Sequence, residues 1–323
     1  MSNSKYLIEL AKIIAQSGNE CIIFVGAGLS RPLHYPSWGI MLEKLAEIAL
    51  TETAFTPESR SRIGKYITTK DQNALLSEMS EINRLCKGQY LEKLKIMFSP
   101  RADAINFLQA HSSLLTLVDK YIKGIITTNF DFCLECARDD IGFNNITNTD
   151  TIDDFIGNNK KQILHLHGSR NDLSKCVVCG SNYAELYTTD FQSKLENILS
   201  SYTVLYLGTS LGDYELGRIL ERRTSLCIPS NASRFPDMKT HYAFLPIRND
   251  INIREEKAKM LNQLKINVEH YEVLPGDITD EYGVIENHKA LYDMIEELRA
   301  ECEKYQVKTS VRETVEPLSG VKK

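Results

Sequence analysis

The chain lacks several things that would have fixed its class at once. Its longest uncharged stretch, Asn197 to Gly212, is too short and too rich in Ser, Thr and Gly to cross a bilayer. The first residues, Met1-Ser-Asn-Ser-Lys-Tyr6, show no basic segment followed by an apolar block, so no secretory leader is expected and a cytoplasmic setting is. There is no excess of positive charge. With 38 basic against 43 acidic side chains the formal balance is −5, which argues against direct nucleic-acid binding by an overall electrostatic field. Internal repeats and low-complexity tracts are also missing. Eight cysteines in 323 residues are too few for a disulfide framework, and in a reducing compartment they are expected as thiols.

What remains is ordinary globular material. Hydrophobic residues make up 42% and charged residues 25% of the chain, enough for a sizeable core and incompatible with a collagenous or largely disordered class.

The order of hydrophobic patterns sets the expected architecture. Lys5 to Gln16 has apolar residues at helical spacing, and Cys21 to Val25 is a continuous apolar run closed by Gly26-Ala27-Gly28, as in a buried strand entering a tight turn. Residues 39–118 then read as a helical insertion or subdomain, with helices near Gly39–Ala49, Gln72–Leu85, Tyr90–Phe98 and Ala102–Leu117. Strand-like runs follow at Gly124–Thr128, Gln162–Leu166, Thr203–Leu207, His241–Leu245 and Ile266–Tyr271. Helical stretches near Asp131–Asp139, Asp190–Ser200, Leu211–Arg223 and Ile253–Leu264 separate them. Such alternation predicts an α/β chain built on a doubly wound, mainly parallel sheet. A last helix, His288–Tyr305, is expected to close a domain over residues 1–305, with 306–323 a flexible polar tail.

Four of these strands end in small or polar residues: Gly26-Ala-Gly-Leu-Ser30, Thr128-Asn-Phe-Asp131, His167-Gly-Ser169 and Gly208-Thr-Ser210. Ligands of open parallel sheets bind outside the carboxyl ends of the strands, so the four segments are expected to converge on one crevice. Each has a bland reading beside the functional one. Gly26-x-Gly28 lacks the third glycine of a dinucleotide fingerprint, Arg31 standing in its place, and suits a tight turn or a phosphate cradle. Asn129 and Asp131 suit a helix N-cap, His167 a satisfied core histidine, and Gly208-Thr-Ser210 a strand-to-helix turn.

Taken in order, Gly26-Ala-Gly-Leu-Ser30, Thr127-Thr-Asn-Phe-Asp131, Leu164-His-Leu-His-Gly-Ser169 and Gly208-Thr-Ser-Leu211 resemble the silent-information-regulator (sirtuin-like) family of NAD-consuming proteins. The resemblance is nearer to its bacterial antiphage-defence branch than to protein deacetylases. Pro36-Ser-Trp38, Tyr183-Ala-Glu-Leu-Tyr187, Gly212-Asp-Tyr-Glu-Leu216 and His241-Tyr-Ala-Phe-Leu-Pro246 extend it over about residues 20–300. It implies a Rossmann-like fold and NAD bound as substrate. The pyrophosphate would lie against Gly26, Ala27, Gly28 and Ser30, with Gly208, Thr209 and Ser210 assisting. Asp131 would lie near the nicotinamide ribose, and Asn129 and His167 would form the catalytic pair. Backbone amides at such turns suit a dianion, and a neutral imidazole suits proton acceptance near pH 7.

The reaction so implied is NAD glycohydrolysis to nicotinamide and ADP-ribose or a cyclic form, depleting the cofactor of an infected cell. A homo-oligomer, or a separately encoded ATPase or nucleotide-processing partner, would restrain it. The alternatives are a zinc-dependent protein deacylase and a non-catalytic NAD or ADP-ribose sensor. Deacetylases of the family carry two C-x-x-C pairs between the histidine-glycine turn and the later Gly-Thr-Ser turn. Here that interval holds only Cys176-Val-Val-Cys179, while Cys133-Leu-Glu-Cys136 lies upstream on a predicted helix. No metal is therefore expected. The Cys133 pair is expected to face a core and Cys176 and Cys179 to sit in a loop. His165 is expected to face away from His167 and to be the less suited of the two as a base.

Overall fold

A computed structural model describes residues 4–16, 20–99, 108–137, 144–147, 152–157, 161–209, 211, 214–225, 239–247, 252–273, 279–285 and 288–313. In chain order the elements are α1 (Lys5–Gln16), β1 (Cys21–Val25), α2 (Trp38–Thr51), α3 (Pro57–Thr68), α4 (Gln72–Leu85), α5 (Lys87–Met97), α6 (Gln109–Tyr121), β2 (Gly124–Thr127), α7 (Cys133–Ala137), β3 (Asn144–Thr147) and α8 (Ile152–Gly157). There follow β4 (Gln162–His165), α9 (Gly180–Leu186), α10 (Thr189–Ser201), β5 (Thr203–Leu207), α11 (Tyr214–Ser225), β6 (His241–Pro246), α12 (Ile253–Leu264), β7 (Ile266–Tyr271) and α13 (Lys289–Glu313).

Among the described residues the strands form one seven-stranded, all-parallel sheet in the order β3-β4-β2-β1-β5-β6-β7. β1 and β5 lie at the centre and are buried at every position, which is why they read as unbroken apolar runs rather than alternating ones. Successive residues of β1 serve opposite faces. Cys21, Ile23 and Val25 pack with α1, α6 and α13, whereas Ile22 and Phe24 pack with α8, α10 and α11. From β1 the chain winds outward through β2 to the edge strand β3, steps back to β4 between them, then returns to β5 and winds the other way. The direction therefore reverses between β1 and β5, the position where open α/β sheets leave a crevice.

Helices α2–α5 form a core of their own around Leu42, Leu45, Ile63, Leu75, Met79 and Leu94. That core also takes in Phe130, Cys133, Cys176, Val178 and Cys179, all from segments that follow β2 and β4. The helical subdomain is thereby fastened to the carboxyl edge of the sheet. The starts of α2, α3 and α4 are capped: Ser37, Thr56 and Asp71 accept from the backbone N–H groups of Ile40, Ser59 and Ala74.

The expected doubly wound sheet is present, with differences in detail. α6 packs with α1 and α13 against the sheet rather than with α2–α5, so the last expected helix of the insertion is a crossover helix of the sheet layer. α3, α8, α9 and the edge strand β3 were not foreseen. The final helix continues to Glu313, into the segment expected to be a tail; Leu291, Ile295, Leu298 and Cys302, four and three residues apart, form its buried stripe.

Candidate functional site

The four turns singled out in the sequence follow β4, β2, β1 and β5, which are neighbours in the sheet. Their backbones extend the pairing past the strand ends: Gly26 N–H donates to Leu207 O (2.9 Å), Gly28 N–H to Gly208 O (2.7 Å) and Leu166 N–H to Thr127 O (2.7 Å). At the reversal point the glycines of β1 and β5 interlock. A Cβ on Gly26 would lie 2.7 Å from Gly208 O, and one on Gly28 would lie 2.8 Å from it. Gly208 is left-handed (φ +62°), and a Cβ there would strike Leu29 N. Close approach of two backbones thus requires all three glycines. Ala27 is exposed in the same turn, and Thr209 Oγ1 accepts from Leu211 N–H at 3.2 Å. Ser210 lies outside the described residues.

Asn129 is held from several directions. Its backbone N–H donates to Thr127 Oγ1 at 3.0 Å, and Nδ2 donates to Gly26 O and to Ser30 Oγ, each at 3.1 Å. The side chain therefore bridges the turns after β2 and β1. Its other atom, Oδ1, is buried and has no hydrogen-bond partner. Asp131, also buried, accepts from Cys133 N–H at 3.0 Å and so starts α7, which is the capping role foreseen for it.

His167 stands on the adjoining turn after β4, 4% exposed. Its Nε2 lies 2.8 Å from the Tyr187 hydroxyl, and its ring packs edge-on against Tyr183 (5.4 Å) and Tyr187 (5.9 Å), which stack on each other. His165 points elsewhere; residues two apart share a face within a strand, and the two histidines diverge because β4 ends at His165 and the chain turns before His167. Its Nδ1 is 3.1 Å from Asn129 O and its Nε2 is 2.6 Å from Glu135 Oε1. Burial works to lower its pKa, but the hydrogen bond and charge of Glu135, with the Asn129 carbonyl and Asp131, raise it above the ordinary 6.5.

The sequence thus located Gly26, Gly28, Ser30, Asn129 and Gly208, which make one contact network, and His167 on the neighbouring strand end. It did not single out Glu135, whose partner is 30 residues away. Nor did it reveal why Arg31 replaces a glycine. The Arg31 side chain, 4% exposed, reaches Tyr35 O and forms a 3.2 Å ion pair with Asp280 from the segment before α13. His111 on α6, which no motif of the sequence marks, is fully buried with no hydrogen bond at either ring nitrogen, and burial pushes its pKa down to about 4.

The cysteines differ in part from expectation. Cys133 is buried, and its thiol is pushed up by burial and then by Asp131. Cys136 on the same helix is exposed, because α7 turns that position outward. Cys176 and Cys179, expected in a loop, are in one, but both are buried in the subdomain core. Cys176 donates to Ser169 O and Cys179 to Asn182 Oδ1 (2.9 Å). Among the described residues no group of three or more His, Cys, Asp or Glu side chains is placed to hold a metal ion.

With this geometry in hand, residues 123–268 match the profile of the SIR2-like domain. The span includes Asn129, Asp131, His167 and Gly208; the Gly26 turn precedes it. No curated protein matches the sequence. Among solved structures, one described under the mechanism and regulation of Sir2 enzymes is 14% identical, with 93% of this chain and 98% of that chain covered and a TM-score of 0.45. Another, a mutant Sir2 homologue in complex with 2'-O-acetyl ADP-ribose, is 14% identical, with coverage of 92% and 97% and a TM-score of 0.42.

Proposed function

We propose that the chain is an NAD glycohydrolase that breaks the bond between nicotinamide and ribose. The observation that carries this reading is Asn129, whose amide nitrogen is anchored to the turn after β1 while Oδ1 is buried without a partner. A buried acceptor left unpaired costs free energy, about 1–3 kcal/mol, and such a cost is retained where a bound ligand supplies the donor. A ribose hydroxyl or an attacking water is a donor of the right kind. The match of residues 123–268 to the SIR2-like domain supports NAD as the molecule that brings it.

In this reading the electron pair of the glycosidic bond leaves with the nicotinamide ring nitrogen, which is already cationic, so the departing base needs no proton. Positive charge grows on the ribose, water bonds to its anomeric carbon, and the water's proton must be taken up. His167 is the base. A substrate hydroxyl would compete with the Tyr187 hydroxyl for its Nε2. His165 is unsuited to the role, because its two nitrogens face a carbonyl and a carboxylate and the ring holds its proton. In this reading the pyrophosphate lies against the turns at Gly26–Ser30 and Gly208; the N–H groups of Gly26, Gly28, Leu29 and Ser30 already donate to Leu207 O, Gly208 O, Gly26 O and Ala27 O, so within the first turn it would be met by the amide of the exposed Ala27.

The test measures nicotinamide release from NAD by the wild type, Asn129→Ala and His167→Ala. Both variants are expected to fold and to lose activity by about 100-fold or more, the scale of a mispositioned substrate or a missing general base. Unchanged rates would remove both residues from the mechanism. NAD binding without release would favour the sensor, and turnover of an acylated peptide by zinc-loaded protein the deacylase. Control by self-association or by a separately encoded partner, in a role that depletes NAD during phage infection, belongs to the same proposal. Full, unregulated turnover by an isolated monomer would refute that part.

A further inference from the structure

His165 is the last residue of β4 and is 1% exposed. Its ring nitrogens face two oxygens, the Asn129 carbonyl at 3.1 Å and a Glu135 carboxylate oxygen at 2.6 Å. Neither oxygen carries a proton to give. A neutral imidazole has one N–H, so it would turn a lone pair toward one of them; only the doubly protonated ring satisfies both. The Phe132 ring closes on it edge-on at 6.2 Å. Glu135 from α7 and Asp131 from the turn before it are the charged groups that act on the ring among the described residues.

The carbonyl so held belongs to the peptide between Asn129 and Phe130. Asn129 is then fixed at its N–H by Thr127, at its amide nitrogen by Gly26 and Ser30, and at its carbonyl by His165. We propose that His165 and Glu135 are a positioning pair for Asn129: the imidazolium, braced by the carboxylate, locks the peptide that carries the asparagine and so fixes where its unpaired Oδ1 points. The proposal rests on the reading of Asn129 as a substrate contact, and it adds a pH dependence that the reading alone lacks. Deprotonation of His165 removes one of the two N–H groups, and with it the lock.

The experiment follows imidazole and backbone nitrogen resonances of labelled full-length protein across pH, in the wild type and in Glu135→Gln, with His165→Gln used to assign the ring signals. In parallel, kcat and KM for NAD are measured over the same range. Wild-type His165 is expected to remain doubly protonated above pH 6.5, its ordinary midpoint, and the Phe130 amide nitrogen should move with the same midpoint. Glu135→Gln should shift both midpoints to lower pH and carry the alkaline fall of kcat with them, leaving KM within about twofold. A ring that is singly protonated at pH 6.5, or a Phe130 amide that ignores its titration, would overturn the lock whether or not the protein hydrolyses NAD. A lock that titrates as described while kcat does not follow would overturn the positioning role. Should Glu135→Gln fail to fold, the wild-type coupling between ring, Phe130 amide and kcat decides the matter.

Discussion

Asn129→Ala separates a functional asparagine from a structural one. The substitution deletes two hydrogen bonds from Nδ2, to Gly26 O and Ser30 Oγ. At about 1 kcal/mol each, that loss alone would lower stability by about 2 kcal/mol. It also deletes Oδ1, a buried acceptor with no partner. Removing an unpaired buried acceptor returns about 1–3 kcal/mol. The two contributions oppose each other, so the expected change in unfolding free energy is about zero, with an error of about 1 kcal/mol. Urea denaturation followed by tryptophan fluorescence from Trp38 and by circular dichroism would measure it through the midpoint at constant slope. Nicotinamide release would be read on the same preparation. A variant that keeps its midpoint and loses activity is the expected outcome. A loss of 2 kcal/mol or more with NAD consumption retained would refute the argument, because the asparagine would then be a satisfied bridge between two turns and nothing else.

Other predictions concern stability and metal. His111 is fully buried with a pKa pushed down to about 4 from 6.5, so the unfolded chain binds its proton first as pH falls. Its contribution, about 3 kcal/mol, should be complete above pH 6.5 and drain away toward pH 4; His111→Leu should flatten that limb of a urea-midpoint titration, and an unaltered limb would refute the assignment. Asp280→Asn leaves the Arg31 guanidinium buried without its carboxylate and should cost about 3 kcal/mol, against a smaller loss for the double variant Arg31→Met, Asp280→Leu; equal losses would argue against the pair. Gly208→Ala combines a left-handed backbone with a clash against Leu29 N and should cost about 3 kcal/mol, detectable as reduced soluble yield or a lowered urea midpoint. Cys176, pushed up to about 12 by burial, should stay a thiol. Metal analysis is expected to find no stoichiometric zinc, and a chelator should leave the melting temperature unchanged.

The sheet was legible because its central strands are buried on both faces. A run such as Cys21–Val25 has no competing helical pattern, and the turn residues that follow each strand mark its carboxyl end. What the sequence concealed falls into two groups. α3 buries only Ile63, so its apolar periodicity is faint, although Thr56 followed by Pro57 and Glu58 is a readable helix start. β3 is a four-residue edge strand with two asparagines, and nothing in Asn144–Thr147 announces pairing. Long-range polar pairs form the second group. Asp280 finds Arg31 across 249 positions, and Glu135 finds His165 across 30. Such partners leave no periodic trace; the pairing of Glu135 with His165 becomes visible only when the sheet order brings β2 beside β4.

The same comparison shows which features of the site speak about a ligand. The glycines at the reversal point are the most conspicuous motif in the sequence, yet they are required by the contact between two backbones, with Gly28 N–H on Gly208 O and no room for a Cβ on either side. Loss of activity in a glycine variant would therefore follow from disrupted packing whether or not a phosphate ever sits there. Ser30 is likewise engaged by Asn129, and Asp131 by the start of α7. A fully satisfied group needs no ligand to explain it. The unpaired Oδ1 of Asn129 is different, because the protein bears the cost of leaving it unmet while it surrounds the same residue with three separate restraints. Precision spent on holding an unsatisfied atom in place is accounted for only when something else completes it. Experiments aimed at that atom therefore test the chemistry, whereas experiments aimed at the glycines test the fold.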